Sequence, residues 1–267
     1  MIEVLQAIGF GILQGIAEFL PISSSGHLRI VQDLFGVTEQ FGLAFDVFLH
    51  IATLLSVVVY FRKDLLHMGM SLFTRSEERK EDRHLLTLIV IATIPTGLIG
   101  LAGADWFEYV PTLYIGVAFL ITSIMLAATD RFSGVPKSQS LRLGWLQAVV
   151  IGVAQGLAIM PGISRSGATI AAGLSMGLTR EQAARFSFLL SVPVILLASA
   201  KQAYDVFALG ETLPGPIALM AGFIASAVTG YLAIAGLMSF IKKYSFTVFS
   251  IYTAIIGISV IIWQMVA

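Results

Sequence analysis

The stretch QGIAEFLPISSSGH at 14–27 is repeated as QGLAIMPGISRSGA at 155–168, without a gap and 141 residues later. Seven of the fourteen positions are identical: Gln, Gly, Ala, Ile, Ser, Ser and Gly. Each copy closes an apolar run, turns at a proline, passes through serine and glycine, and continues into a short apolar piece, about 28–35 and 169–177. Helix, polar turn and half-helix read together as a re-entrant hairpin. Irregular backbone at membrane depth is tolerated only where protein or a water-filled cavity surrounds it. Two such units constrain the chain to a duplicated membrane fold.

The rest of the sequence agrees. Only 12% of the 267 residues are charged and 57% are hydrophobic, against about 25% charged in a soluble domain. A span needs roughly 20 apolar residues, and six further stretches approach that: 43–61, 85–104, 112–129, 186–200, 217–239 and 246–267. Net charge is zero and cysteine is absent, so nothing suggests nucleic acid, and disulfides, thiolate metal sites and cysteine nucleophiles are excluded. The N-terminal MIEVLQ lacks the basic region of a cleaved signal peptide.

Lysine and arginine in short loops set orientation. If six stretches cross and the two hairpins do not, thirteen of the sixteen basic residues share one side, in 62–83, 131–142, 180–185 and 242–243. The other side holds Glu39, Asp105, Glu108, Asp205 and Glu211, with Lys201 alone among bases. The expectation is one all-α polytopic membrane domain over 1–267, with halves of about 1–130 and 142–267 and hairpins at 1–35 and 142–177. Three crossings per half invert the second copy, so the hairpins enter from opposite faces and their polar tips meet in mid-bilayer.

Those tips would bring together Gln14, Glu18, Ser23, Ser24, Ser25, Gly26 and His27 with Gln155, Ser164, Arg165, Ser166, Gly167 and Thr169. Ionisable residues inside a membrane are costly and mark function by default, which singles out Glu18 and Arg165. Free N–H groups where serine–glycine turns open helices favour an anion, and a guanidinium suits phosphate bidentately. Ser24 could attack phosphorus with His27 as its base, while Glu18 orients the imidazole or holds a divalent metal. The parts are those of phosphoryl transfer. Simpler readings stand beside these: a serine turn is often only a loop, some serines bond the preceding helical turn, and Glu18–Arg165 could be a structural pair. His50 reads as a packing residue, Asp46 as facing the site, and His67 and His84 as solvated. Arg29 either binds phosphate or snorkels, and Pro95 and Pro193 reflect packing and kinks.

At these residues the sequence resembles the undecaprenyl-diphosphatase family, also called bacitracin-resistance proteins. QGIAEFLPISSSGH and PGISRSGAT carry the likeness, and FSFLLSVPV after the second motif extends it along the chain. The resemblance implies hydrolysis of a C55 polyprenyl diphosphate to the monophosphate, which recycles the lipid carrier of cell-wall synthesis. It implies Glu18, Ser24, His27 and Arg165 as the catalytic set and a dependence on magnesium or calcium. It also implies a cell-membrane location with the site open to the outer face. A homodimer is an open expectation. Gln14 stands where many relatives have glutamate, which favours a metal that arrives with the diphosphate. Lipid phosphatases of the acid-phosphatase type share the Ser-Gly-His and Ser-Arg elements. They also need a histidine shortly after Ser-Arg and a Lys-x6-Arg-Pro element, and both are missing here. A flippase for the same lipid is the competing class.

Overall fold

A computed structural model describes residues 1–37, 41–74, 76–107, 110–132, 143–209 and 214–266. Among the described residues there are eleven α-helices: α1 Ile2–Phe19, α2 Ser24–Phe35, α3 Leu43–Tyr60, α4 Arg62–Ser71, α5 Lys80–Phe107, α6 Thr112–Phe132, α7 Trp145–Leu157, α8 Arg165–Ser175, α9 Arg180–Leu209, α10 Pro216–Phe240 and α11 Thr247–Val266. Among the described residues there is no strand. Seven helices among the described residues are long and apolar enough to cross a membrane, so the protein is a multi-pass membrane protein. Six of them overlap the six stretches expected to cross; the seventh is α1, expected as a hairpin arm.

Boundaries moved for identifiable reasons. α5 and α9 begin with charged residues, Lys80 and Arg180, because a helix continues past its apolar window into the polar headgroup zone. The second arms of the hairpins start early, at Ser24 and Arg165. The serines expected in loops are therefore first-turn helical residues or N-caps. α4 was not expected as a helix within the charged segment. Glu39, Glu108 and Glu211 lie outside the described residues, as do Arg75, Lys137, Arg142 and the side chains of Asp105, Asp205 and Arg131.

The packing is reciprocal between the halves. α1 lies along α10 while α7 lies along α5; α3 meets α10 while α9 meets α5; and α3 meets α9 as α6 meets α11. Glycines in equivalent positions make the close approaches. A Cβ at Gly15 would sit 2.5 Å from the Ser226 carbonyl, and one at Gly156 would sit 2.8 Å from Ile99. Gly11 and Gly152 are equally tight, against α10 and α5. Each arm thus carries a Gly-x-x-x-Gly face, the spacing that lets helix backbones meet in lipid. Gly116 and Gly257, also 141 apart in the chain, pack against each other's carbonyls. Gly15→Ala should cost roughly 1–3 kcal/mol from overpacking, read as a lowered melting temperature in detergent. Gly9→Ala should not, because nothing lies within 4 Å of its added methyl.

Contacts at the helix ends show where each hairpin returns. The backbone N–H of Gly215, just before α10, donates to Glu3 Oε1 at 2.9 Å. Thr112, opening α6, donates to Asp33 Oδ2 at 2.6 Å. At the other end of the bundle, His84 Nε2 donates to the Leu143 carbonyl at 3.0 Å, Arg180 donates to the Tyr244 carbonyl at 2.8 Å, and Arg185 pairs with Asp64. The start of α1 and the end of α2 therefore sit beside the beginnings of α10 and α6. The start of α7 and the end of α8 sit at the basic end, beside α5, α9 and the last turn of α10. Each hairpin leaves from the end where it entered, and the two come from opposite ends. Length alone would have made α1, about 27 Å long, a seventh crossing.

Candidate active site

The two turns touch. The Gly162 N–H donates to Ser23 Oγ at 3.0 Å, and Ser166 Oγ donates to the Leu20 carbonyl at 3.0 Å. Ser23 takes a left-handed backbone, with φ of 69°, a conformation disfavoured for a residue with a Cβ. Gly162 does the same at 96°, where a side chain would also strike the Ile115 carbonyl at 2.5 Å. Gly26 has no room either, since a Cβ would lie 2.8 Å from Phe119 and 2.9 Å from the Gly162 nitrogen. Ser164 caps α8 by accepting from the Gly167 N–H at 3.1 Å, and its own N–H donates to Thr122 Oγ1 at 3.0 Å. These contacts lock the turns together.

Glu18 is the hub. Its Oε1 accepts from Arg165 Nη2 across the two turns. Its Oε2 accepts from Gln14 Nε2 at 3.0 Å and from Ser24 Oγ at 2.5 Å. The Glu18 side chain is 2% exposed and that of Arg165 is 20% exposed. The arginine is therefore partly exposed while the carboxylate is buried. Ser24 and Ser25 are half-buried. The cluster can hold an anion on a guanidinium beside a hydroxyl whose proton already rests on a carboxylate.

His27 is placed differently from the expectation. Its Nδ1–H donates to the Ser23 carbonyl at 2.7 Å, which can only accept. In the neutral ring, Nε2 then accepts from the Tyr252 hydroxyl at 2.8 Å. The two rings are parallel within 6° at 5.6 Å, and Phe119 meets the imidazole edge-on at 4.9 Å. Ser24 pairs with Glu18 rather than with His27, and Glu18 does not orient that imidazole. Tyr252 escaped sequence reasoning because it stands 225 positions from His27 in a helix of ordinary apolar pattern. His50, read as a packing residue, directs Nε2 at Glu18 Oε2 from 3.8 Å. A histidine in an apolar span facing the same depth as Glu18 was the available signal.

Other expected ligands fall elsewhere. Gln155 is buried and donates to Thr96 Oγ1 at 3.2 Å, between α7 and α5. Thr169 bonds Ser187 Oγ at 2.6 Å and the Arg165 carbonyl at 2.9 Å, tying α8 to α9. Both side chains are buried. The carboxylate of Asp46 accepts from Gln32 Nε2 at 3.1 Å. Arg29 leans on Asp33 at 3.2 Å, toward the open end of the first hairpin. His67 and His84 are exposed, as expected.

The sequence matches the family model described as bacitracin resistance protein BacA over residues 7–259. Relatives named undecaprenyl-diphosphatase align along nearly the whole chain. The protein of Methanosphaera stadtmanae is 42% identical over all of both chains. That of Rubrobacter xylanophilus is 42% identical over 94% of this chain and 95% of its own. That of Alcanivorax borkumensis is 41% identical over 97% and 98%.

Proposed function

Since this chain belongs to the bacitracin resistance protein BacA family, we propose that it hydrolyses undecaprenyl diphosphate to the monophosphate and inorganic phosphate. It is a membrane phosphatase that regenerates a lipid carrier and thereby gives resistance to bacitracin. The observation that carries the reading is the Ser24–Glu18–Arg165 cluster where the two turns meet.

The polyprenyl tail stays among the helices and the diphosphate reaches the turns. Arg165 clamps the phosphate oxygens, aided by N–H groups at the starts of α2 and α8 and by the hydroxyl of Ser25. Ser24 Oγ attacks the terminal phosphorus as its proton passes to Glu18. The new O–P bond forms while the bond from that phosphorus to the bridging oxygen breaks, and the lipid monophosphate leaves. Water then releases phosphate from Ser24. His27, three residues along α2 and so on the same face, takes that water's proton through Tyr252, whose hydroxyl gives its own proton to Nε2. Glu18 returns its proton to Ser24 Oγ as the Oγ–P bond breaks.

A divalent cation, magnesium or calcium, suits the donor set only as a companion of the diphosphate. Among the described residues no three His, Cys, Asp or Glu gather as a metal site. Glu18 and the buried, unpartnered Oε1 of Gln14 are the oxygen ligands that would hold it, since such cations take oxygen and share substrate phosphates. When bound, it neutralises charge developing on the transferring group.

The halves are inverted in the membrane and the site opens to the outer face of the cell membrane. Support comes from the hairpins returning to opposite ends and from the basic residues gathered at the end from which α7 enters. Arginine and lysine mark the cytoplasmic side.

The test is phosphate release by purified protein from C15 to C55 polyprenyl diphosphates, with and without chelator. Release should occur with every chain length and fall at least about tenfold with chelator, recovering on addition of magnesium or calcium. A pure carrier of the lipid has no use for a serine hydroxyl bonded to a carboxylate. Lipid movement across vesicles without phosphate release would sink the enzyme reading.

A further inference from the structure

Arg29 is the only lysine or arginine in the first 61 residues, and the catalytic steps above make no use of it. It lies on α2 with its side chain 42% exposed. Ser25, Arg29 and Asp33 follow at four-residue spacing and so share one face of that helix. The stripe runs from the turn that carries Ser24 to the open end of the hairpin, where Thr112 donates to Asp33 Oδ2 at 2.6 Å. Arg29 Nε lies 3.2 Å from Asp33 Oδ1, yet it is buried and makes no hydrogen bond. Among the described residues neither of its Nη groups has a hydrogen-bond partner. A guanidinium carries five N–H donors, and here all of them are uncommitted. Arg165, by contrast, is held by Glu18. Charged side chains on membrane helices face a water-filled path or a partner. An exposed guanidinium with free donors, in line with a serine hydroxyl, is suited to an oxyanion.

We propose that Arg29 forms a second phosphate-binding subsite, one helical turn outward from Ser25, for a phosphate group on its way to or from the turns. The proposal rests on the diphosphatase reading, in which Ser25 and Arg165 hold the group being transferred. A four-residue step along a helix is about 6 Å, within the swing of an arginine side chain. A phosphate leaving Ser25 therefore meets the guanidinium before it reaches the open end. Asp33 sets the strength of the subsite. A carboxylate squarely on the fork would compete with phosphate. Asp33 instead gives one oxygen to Thr112 and faces only Nε with the other, so the two Nη groups stay open for bidentate binding.

Thermal stabilisation by ligand, measured on purified protein in a maltoside detergent that brings no phosphate, gives dissociation constants without requiring catalysis. The probes are inorganic phosphate at constant ionic strength and, separately, C15 polyprenyl monophosphate. Arg29→Gln should weaken at least one of them by about tenfold, the loss expected when a charged hydrogen-bonding partner is removed. Asp33→Asn should tighten the same probe by about two- to fivefold, because it removes a competing exposed charge while its amide oxygen still accepts from Thr112. In the Arg29→Gln background Asp33→Asn should change nothing. Should Arg29→Gln fail to fold, Arg29→Lys takes its place, with a loss of about threefold because an ammonium does not bind bidentately. A response confined to the C15 monophosphate puts the lipid's phosphate at Arg29, and one confined to inorganic phosphate puts the free product there; either supports the subsite. Affinities that no variant moves overturn the proposal, as does failure of the unaltered protein to bind either probe. Equal losses from Arg29→Gln and Asp33→Asn, the mark of a merely structural pair, overturn it too. Phosphate release from C15 diphosphate is followed on the same preparations. No release by the unaltered protein sinks the diphosphatase reading and leaves the binding result to decide Arg29. Release with unmoved affinities removes only the part given to Arg29.

Discussion

Arg165→Ala should abolish phosphate release, lowering kcat/KM by at least about 10³-fold, the scale on which an arginine stabilises a transferring phosphoryl group. Two effects combine. The diphosphate loses its bidentate partner, and Glu18, only 2% exposed, loses its salt bridge. Arg165→Lys should rescue little, because an ammonium cannot span two oxygens in the fixed fork geometry of a guanidinium. The second effect can be separated from the first. Breaking a buried pair by removing one partner costs about 3–5 kcal/mol, so Arg165→Ala should also melt earlier. Arg165→Ala combined with Glu18→Gln should regain stability and stay inactive. Substantial phosphate release by the alanine variant would remove Arg165 from the chemistry and leave it a structural partner of Glu18.

Ser24→Ala should cost at least about 10³-fold in kcat with KM little changed, as expected for groups that act only in the chemical step. The hydroxyl is half-buried and donates to Glu18 Oε2 at 2.5 Å. Groups that act as a unit are not additive, so Ser24→Ala with Glu18→Gln should be no worse than the poorer single variant. The measurement is single-turnover phosphate release, with mass detection of phosphate on the intact protein after an acid quench. Phosphoserine at residue 24 supports attack by the hydroxyl. Activity that survives Ser24→Ala but not Glu18→Gln would assign the attack to water activated by Glu18 and leave Ser24 as a phosphate ligand.

Much of this was legible in the chain because membrane physics leaves few choices. Apolar windows of span length suffice for an all-α, multi-pass fold. Glu18 and Arg165 stood out because charge inside lipid is expensive, and they do meet. Partner choice within the cluster was not legible. Ser24, His27 and Glu18 lie within ten residues of one another, and any pairing among them fits the spacing. The left-handed turn at Ser23 decides it, giving Ser24 to Glu18 and turning His27 toward Tyr252. Gln155 and Thr169 were grouped with the site because they belong to the repeated motif. The same symmetry that duplicates a motif also places its second copy against different neighbours, here Thr96 and Ser187.

The sequence by itself determined the fold class, the family and the residues that carry charge into the membrane. Each follows from local composition, or from chain-wide likeness that needs no coordinates. Only the tertiary structure decided which atoms face which. His50 and Tyr252 entered the site from helices with no motif of their own, and the return of α1 and α2 to one end was read from Glu3–Gly215 and Asp33–Thr112. The physical reason is that periodicity fixes a helix and the face it buries, whereas hydrogen-bond partners depend on how backbones cross. Here that crossing is set by glycines that bring α1 against α10 and α7 against α5, contacts between segments far apart in the chain.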